Sequence, residues 1–430
     1  MLRRLDLRGV AHGPGALASV LPRPASEAEL PVAAVREILS DVKAGGDAAL
    51  RRHTLRLDGV SLEQLRLPAA ATEQALEQVP AGLRRSLEVA GAAITDYHRH
   101  DLVAVGPYQR DGLRVRELIR PVERAGCYVP GGKARYPSTV LMTAIPAKVA
   151  GVPEVALCVP PRPDGTVDPV TLAAAAIAGV DEVYPLGGAQ AIGALAYGTE
   201  SVPRVDVVVG PGNLYVSVAK QEVAGVVGVP SAFAGPSEVV VVADRAVKAD
   251  LAAVDLVVQA EHGPFGLAWL VAWDEDVVDA VCESVARLVP ASPRRSELES
   301  TLARGGYAVL VDGPEQAMSV ANAIAPEHLE LLCDDPEALL PLVRSAGAVF
   351  CGPFAPASVG DYVAGPSHVL PTFGSARFAN ALRVDDFLRR IHVIDVDEEA
   401  LLELGPHVVA LAEAEGLAAH AESVRLRGAG

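Results

Sequence analysis

Two short strings in this chain of 430 residues bring together side chains able to do chemistry. Gln259 and His262 stand three residues apart where Gly263-Pro264 ends a helical stretch, so both point to one side with open coil beyond. That arrangement suits two ligands of one ion, zinc taking imidazole nitrogen readily and an amide oxygen less often. By itself the pair fits a satisfied helix terminus better than a metal site, and further ligands must come from elsewhere. Asp361 in the Gly360-Asp361-Tyr362 turn, His368 in the loop before Pro371-Thr372, and His420 near the C-terminus are the candidates. The second string, Glu327-His328, follows Pro326 between a helical and a strand-like segment. Two neighbouring groups with ordinary pKa values of ~4.3 and ~6.5 could serve successive proton transfers. Read locally, the string fits an exposed polar turn better.

A third kind of site is backbone in character. Gly210-Pro211-Gly212-Asn213 follows a buried strand and opens a helix, the context for holding an anion or nucleotide on main-chain N–H groups. It lacks a third glycine, and an ordinary strand–helix turn accounts for it equally well. Gly187-Gly188-Ala189-Gln190 occupies the same kind of turn one strand earlier. The five cysteines form no C-x-x-C pair and are odd in number, which predicts free core thiols and not a disulfide framework or a Cys-rich zinc site.

Positioning these groups requires a scaffold, and the chain spells one out. Between Pro153 and Asp244 strand-like and helix-like segments alternate, and most of the strands are near-continuous apolar runs, such as VDVVVG and EVVVVAD. Such strands are buried on both faces, which predicts a parallel, doubly wound α/β sheet. The alternation resumes from Asp250 to about Phe354, predicting a second sheet of the same class. The expected architecture is α/β, with two doubly wound, incompletely Rossmann-like domains, a small N-terminal arm and a small, mostly helical C-terminal domain. The boundaries drawn are 1–25 for the arm, 26–127 with 237–381 for a first domain, 128–236 for a second, and 382–430 for a segment too small for its own core.

The composition narrows the classes. Half the residues are apolar and the mean hydropathy is +0.28, which excludes a disordered or fibrous chain. With 37 Lys and Arg against 54 Asp and Glu, the net charge of −17 argues against a nucleic-acid platform. No apolar run approaches the ~18 residues of a membrane span. Asp6, Arg8 and His12 interrupt any signal-like segment, so a cytoplasmic location is expected, with small molecules or protein as partners. A two-lobed binding protein shares this outline but is usually exported. A Cys-dependent aldehyde dehydrogenase would need a thiolate beside the nucleotide turn.

Taken in order, the strings resemble one family over nearly the whole chain, that of histidinol dehydrogenase. The resemblance is carried by Gly126-Cys127-Tyr128-Val129-Pro130-Gly131-Gly132, Tyr136-Pro137-Ser138, Gly187-Gly188-Ala189-Gln190, Gly210-Pro211-Gly212-Asn213, Ala234-Gly235-Pro236-Ser237-Glu238, Gln259-Ala260-Glu261-His262, Ala325-Pro326-Glu327-His328, Gly360-Asp361-Tyr362, His368-Val369-Leu370-Pro371-Thr372, and Glu415-Gly416-Leu417 with His420. It implies oxidation of L-histidinol through the aldehyde to L-histidine, with two NAD⁺ reduced in turn and one zinc per subunit. It further implies Gln259, His262, Asp361 and His420 as zinc ligands, and His328 and Glu327 as acid–base residues. Ser237, His368 and Glu415 would hold substrate together with Gln259, His262, His328, Asp361 and His420. Tyr128, Gln190 and Asn213 would hold NAD on the second domain. A homodimer is implied, with the C-terminal segment completing the partner's site. Glu415 and His420 lie ~140° apart on an uninterrupted helix, so their convergence requires a break at Gly416. Two departures from the family pattern stand out: Pro230-Ser231-Ala232-Phe233 where an Ile-Asp pair is usual, and Ser367 in place of an amide residue.

Overall fold

The computed structural model describes residues 1–11, 13–22, 30–102, 106–131, 135–231, 237–261 and 265–428. In chain order the elements are β1 (Arg3–Asp6), α1 (Pro14–Val20), α2 (Val32–Asp58), α3 (Ala70–Gln78), α4 (Ala81–His100), β2 (Tyr108–Arg110), β3 (Leu113–Pro121), β4 (Arg124–Tyr128), α5 (Pro137–Val149), β5 (Glu154–Cys158), α6 (Pro169–Ala178), β6 (Glu182–Tyr184), α7 (Gly188–Tyr197), β7 (Val207–Val209) and α8 (Leu214–Val223). There follow β8 (Glu238–Ala243), α9 (Ala249–Ala260), β9 (Leu267–Ala272), α10 (Glu275–Ala291), α11 (Arg295–Gly305), β10 (Gly306–Leu310), α12 (Pro314–Ile324), β11 (His328–Leu332), β12 (Ala348–Cys351), α13 (Ala357–Tyr362), β13 (Leu388–Val396), α14 (Glu398–Ala414) and α15 (Ala418–Gly428).

The apolar strands form two parallel sheets, as their uninterrupted burial demands. One has four strands in the order β6-β5-β4-β7, the other six in the order β1-β10-β9-β8-β11-β12. Both are covered on two faces. On the four-stranded sheet, α3 to α6 bury one face, and α2, α7 and α8 bury the other. On the six-stranded sheet, α9 to α11 lie on one side, α1 and α12 on the other. This is the doubly wound α/β class expected from the strand composition.

Three features differ from the reading of the sequence. The N-terminal arm contributes β1, which pairs in parallel with β10 and makes an edge of the six-stranded sheet. Its string RRLD gives no apolar signal because an edge strand has charged, half-solvated sides. The helices α2 to α4 pack on the four-stranded sheet, Val35, Ile38 and Leu39 of α2 sharing a buried cluster with Ile192 of α7, whereas the sequence grouped 26–127 with 237–381. The C-terminal segment is mostly helical, and the strand signal in RIHVIDVD is borne out, but that strand joins it to the first half of the chain: β13 pairs with β3 antiparallel over nine residues, from Leu388 opposite Pro121 to Val396 opposite Leu113. Beyond it α14 ends, Gly416 adopts φ +74°, and α15 begins, so the helix break anticipated between Glu415 and His420 is present.

Candidate active site

The order of strands in the four-stranded sheet reverses beside β4: β5 and β6 succeed it on one side, β7 on the other. A crevice at the carboxyl ends of strands on either side of such a reversal is where open α/β sheets bind ligands. Tyr128 ends β4 there, and the Gly210–Asn213 turn follows β7. The Tyr128 hydroxyl accepts a hydrogen bond from the Gly188 N–H at 3.1 Å, so the chain turn bearing Gln190 is tied to β4. Gln190 is fully buried and donates from Nε2 to Asp58 at 3.2 Å. Asn213 caps α8, its Oδ1 accepting from the Val216 N–H at 3.1 Å. Gly210, at φ +106°, lies so close to Tyr128 that a Cβ would stand 2.0 Å from the Tyr128 carbonyl oxygen. The fully buried Lys220 donates to the Gly210 carbonyl at 2.9 Å and fixes that turn from behind. The three residues implied for NAD are thus gathered at one end of one sheet.

The second group of residues lies at the amino end of the six-stranded sheet. Ala325 closes α12 in the left-handed region at φ +54°, an uncommon conformation for a residue with a Cβ, and turns the chain through Pro326 into β11. Glu327 and His328 follow at the strand's first position. β8 and β12 flank them, His328 standing opposite Val239 and Ala348. His328 is 4% and Glu327 8% exposed, so the exposed polar turn favoured by the local string is replaced by a buried pair. Neither ring nitrogen of His328 closes a hydrogen bond of ordinary length: Nδ1 is 3.9 Å from Glu327 Oε2, and Nε2 is 3.7 Å from Asp361 Oδ1. The Phe350 ring covers the imidazole, centroids 5.8 Å apart.

Burial alone would depress the His328 pKa, but the carboxylates of Glu327, Asp361 and Glu238 outweigh it and hold the imidazole above its ordinary 6.5. Glu238, the first residue of β8, is itself pushed up to about 8, by burial first and by Glu327 besides. Asp361 is presented by the short α13. His368 holds it from the loop beyond, donating from Nδ1 to the Asp361 carbonyl at 2.9 Å and accepting at Nε2 from the Thr139 hydroxyl at 3.1 Å. Thr139 lies in the first turn of α5, which follows the nucleotide-side strand β4, so His368 bridges the two halves. The neighbouring Ser367 donates to the Met142 carbonyl at 3.0 Å and accepts from the Val369 N–H at 3.2 Å. In this chain the residue substituted for an amide therefore anchors the loop to α5.

The candidate zinc ligands are placed unevenly. Gln259 ends α9, 3% exposed, with its amide nitrogen lacking a hydrogen-bond partner among the described residues. His262 lies outside the described residues, as do Ala232 to Pro236, which cover part of one departure from the family pattern. Ser237 immediately precedes β8, its carbonyl accepting from the Leu267 N–H at 3.0 Å. Glu415 and His420 are exposed at the α14–α15 corner, and among the described residues no hydrogen bond or ion pair joins either to Gln259 or Asp361. Among the described residues no cluster of three or more His, Cys, Asp and Glu is arranged to hold a metal. Yet the donor chemistry fits a dication: the carboxylates of Glu327 and Asp361 gather round one buried imidazole, and the buried Gln259 amide nitrogen is left without a partner among the described residues.

Thr139, Glu238 and Lys220 were not singled out from the sequence. A signal existed for the last two, since a charged residue inside an otherwise apolar buried run needs a partner. The cysteines of the described residues are free, and burial raises their thiols, Cys127 to about 12 and Cys333 to about 11. None is an activated nucleophile.

A family model described as histidinol dehydrogenase matches residues 21–428. A histidinol dehydrogenase of Synechococcus sp. is 48% identical over 398 residues, covering 92% of each chain. That of Pseudomonas aeruginosa is 47% identical over 397 residues, 91% of this chain and 90% of its own. The crystal structure of histidinol dehydrogenase from Elizabethkingia anophelis superposes with a TM-score of 0.94 at 33% identity, over 99% of this chain and 98% of that one. Fold, site strings and matches along the whole length agree, and the chain belongs to the histidinol dehydrogenase family of oxidoreductases.

Proposed function

We propose that this chain oxidises L-histidinol to L-histidine in two successive hydride transfers to NAD⁺, with His328 and Glu327 moving the protons. The observation that carries this reading is the buried His328, held between the carboxyl groups of Glu327 and Asp361. In the first oxidation His328 accepts the proton of the alcohol oxygen while the carbinol hydride leaves for NAD⁺, giving the aldehyde and NADH. Glu327 then takes a proton from the water that adds to the aldehyde carbon, while His328 returns its proton to the aldehyde oxygen, so that the hydrate forms with the imidazole neutral again. The hydrate gives its second hydride to a fresh NAD⁺ as His328 takes the hydroxyl proton, and the carboxylic acid is formed. A histidine suits this task because its pKa lies near neutrality, and the surrounding carboxylates keep it a stronger base than free imidazole.

Gln259, His262, Asp361 and a His420 supplied by a second subunit would hold zinc. When bound, zinc supplies a fixed positive template for the imidazole and amine of the substrate. Ser237, His368 and Glu415 would orient the substrate, and Tyr128, Gln190 and Asn213 would hold NAD at the reversal of the four-stranded sheet. His368 acts partly through Asp361, whose backbone it fixes.

The homodimer is supported by the apolar side chains left open on the C-terminal segment, among them Ile394, Leu411 and Leu426. No helix among the described residues is long and apolar enough to cross a membrane, and a cytoplasmic location suits a biosynthetic dehydrogenase. Incubation with L-histidinol and NAD⁺, followed by chromatography of the amino-acid products, tests the reading. L-Histidine is the expected product; its absence from zinc-loaded protein contradicts the proposal.

A further inference from the structure

Asp255 and Glu330 are two buried carboxyl groups for which the reaction has no use. Glu330 lies on β11 two residues beyond His328 and is 1% exposed; Asp255 lies on α9 one turn before Gln259 and is 8% exposed. The Oε2 atom of Glu330 has no hydrogen-bond donor among the described residues, and Asp255 is the neighbouring side chain that most perturbs it. Carboxyl oxygens can bond one another only if one carries a proton, and two carboxylates in contact away from water repel strongly. Burial, reinforced by Asp255, pushes Glu330 up to about 9, so the pair retains one proton at neutral pH. The Oε1 atom of Glu330 meanwhile accepts from the N–H of Ala357 at 3.2 Å. Ala357 is the first residue of α13, and Asp361 lies one turn further along that helix.

We propose that the Asp255–Glu330 pair, sharing a single proton, is a clamp that positions the active site by joining α9, β11 and α13, the elements that carry Gln259, His328 and Asp361. The inference rests on the reading of those three residues as one site. Neither carboxyl group touches substrate, so both are positioning residues. One proton is essential to the device: without it the contact between α9 and β11 turns repulsive, and a second negative charge is added behind Asp361.

The test compares the zinc-loaded wild-type protein with Glu330→Gln, Glu330→Leu and Asp255→Ala. A glutamine amide donates to Asp255 and accepts from Ala357 without needing a proton, so Glu330→Gln is expected to keep the histidinol KM and the zinc retention within about twofold of wild type, as a satisfied hydrogen-bond replacement does. Glu330→Leu releases both partners and is expected to raise the histidinol KM and the loss of zinc to a colorimetric chelator by about tenfold or more, the scale of losses when outer supports of a metal site are removed. Its KM for NAD⁺, set at the other sheet, stays unchanged. Should Glu330→Leu fail to fold, Asp255→Ala is expected to show the same split. The clamp is overturned if Glu330→Gln is as damaged as the leucine variant, if Asp255→Ala leaves both readouts at wild-type values, or if the two KM values rise together. If the wild-type protein does not oxidise histidinol, the functional reading fails, while the ranking of zinc retention still judges the clamp.

Discussion

At the scale of single residues, the account turns on the division of labour between Glu327 and His328. Replacing His328 by Asn removes the neutral-pH base and should slow histidinol oxidation by about 10²–10⁴-fold, the range for a lost general base. The aldehyde step should suffer too, since the same imidazole serves the hydrate. Glu327→Gln should chiefly slow oxidation of histidinaldehyde supplied directly; equal slowing of both steps with zinc retained would favour one shared proton path. The pH profile offers a second handle. The base must be unprotonated, so kcat/KM for histidinol should climb with pH through an inflection above 6.5, because the nearby carboxylates raise the His328 pKa. Glu327→Gln removes one of those carboxylates and should move the inflection down; an upward or absent shift would contradict the assignment. The order of the strings pointed to these residues through resemblance, but their burial was not legible. A string of two polar residues after a proline reads as a turn, and only the pairing of β11 between β8 and β12 encloses it.

Elements set the second scale. The valine-rich strands announced two parallel sheets because a side chain that finds apolar cover on both faces of a sheet needs no polar alternation. The antiparallel pair β3 and β13 was less visible: β3 alternates half-buried and exposed residues, and its partner lies more than 260 residues away in sequence. The nucleotide turn shows what a string with only two glycines can conceal. Gly210 is required twice over, by its φ of +106° and by the Tyr128 carbonyl that a Cβ would strike. Gly210→Ala should therefore lower stability by roughly 2–4 kcal/mol, combining backbone strain with overpacking. In the protein that still folds, the NAD⁺ KM should rise while the histidinol KM stays put. A melting temperature equal to that of wild type would show that the turn is not held as tightly as described.

On the scale of the whole molecule, the proposed site draws on both sheets and on a second chain. His420 and Glu415 sit exposed on a corner created by Gly416, which is the geometry of a segment that reaches outward. Mixing inactive His420→Ala subunits with inactive His262→Ala subunits should restore part of the activity, because a hybrid dimer contains one site with all of its ligands. No recovery after demonstrated subunit exchange would place His420 in its own subunit's site. The proposed dimer rests on resemblance, since nothing in the spacing of α14 and α15 specifies a partner. The central claim, one zinc-dependent site that oxidises the same carbon twice, is tested most directly by counting NADH formed per histidinol consumed on samples of measured zinc content, before and after chelation. The account predicts two NADH per histidinol with one zinc per subunit, loss of turnover on chelation and its return with zinc. One NADH per histidinol with aldehyde accumulating, or full turnover in metal-free protein, would contradict it.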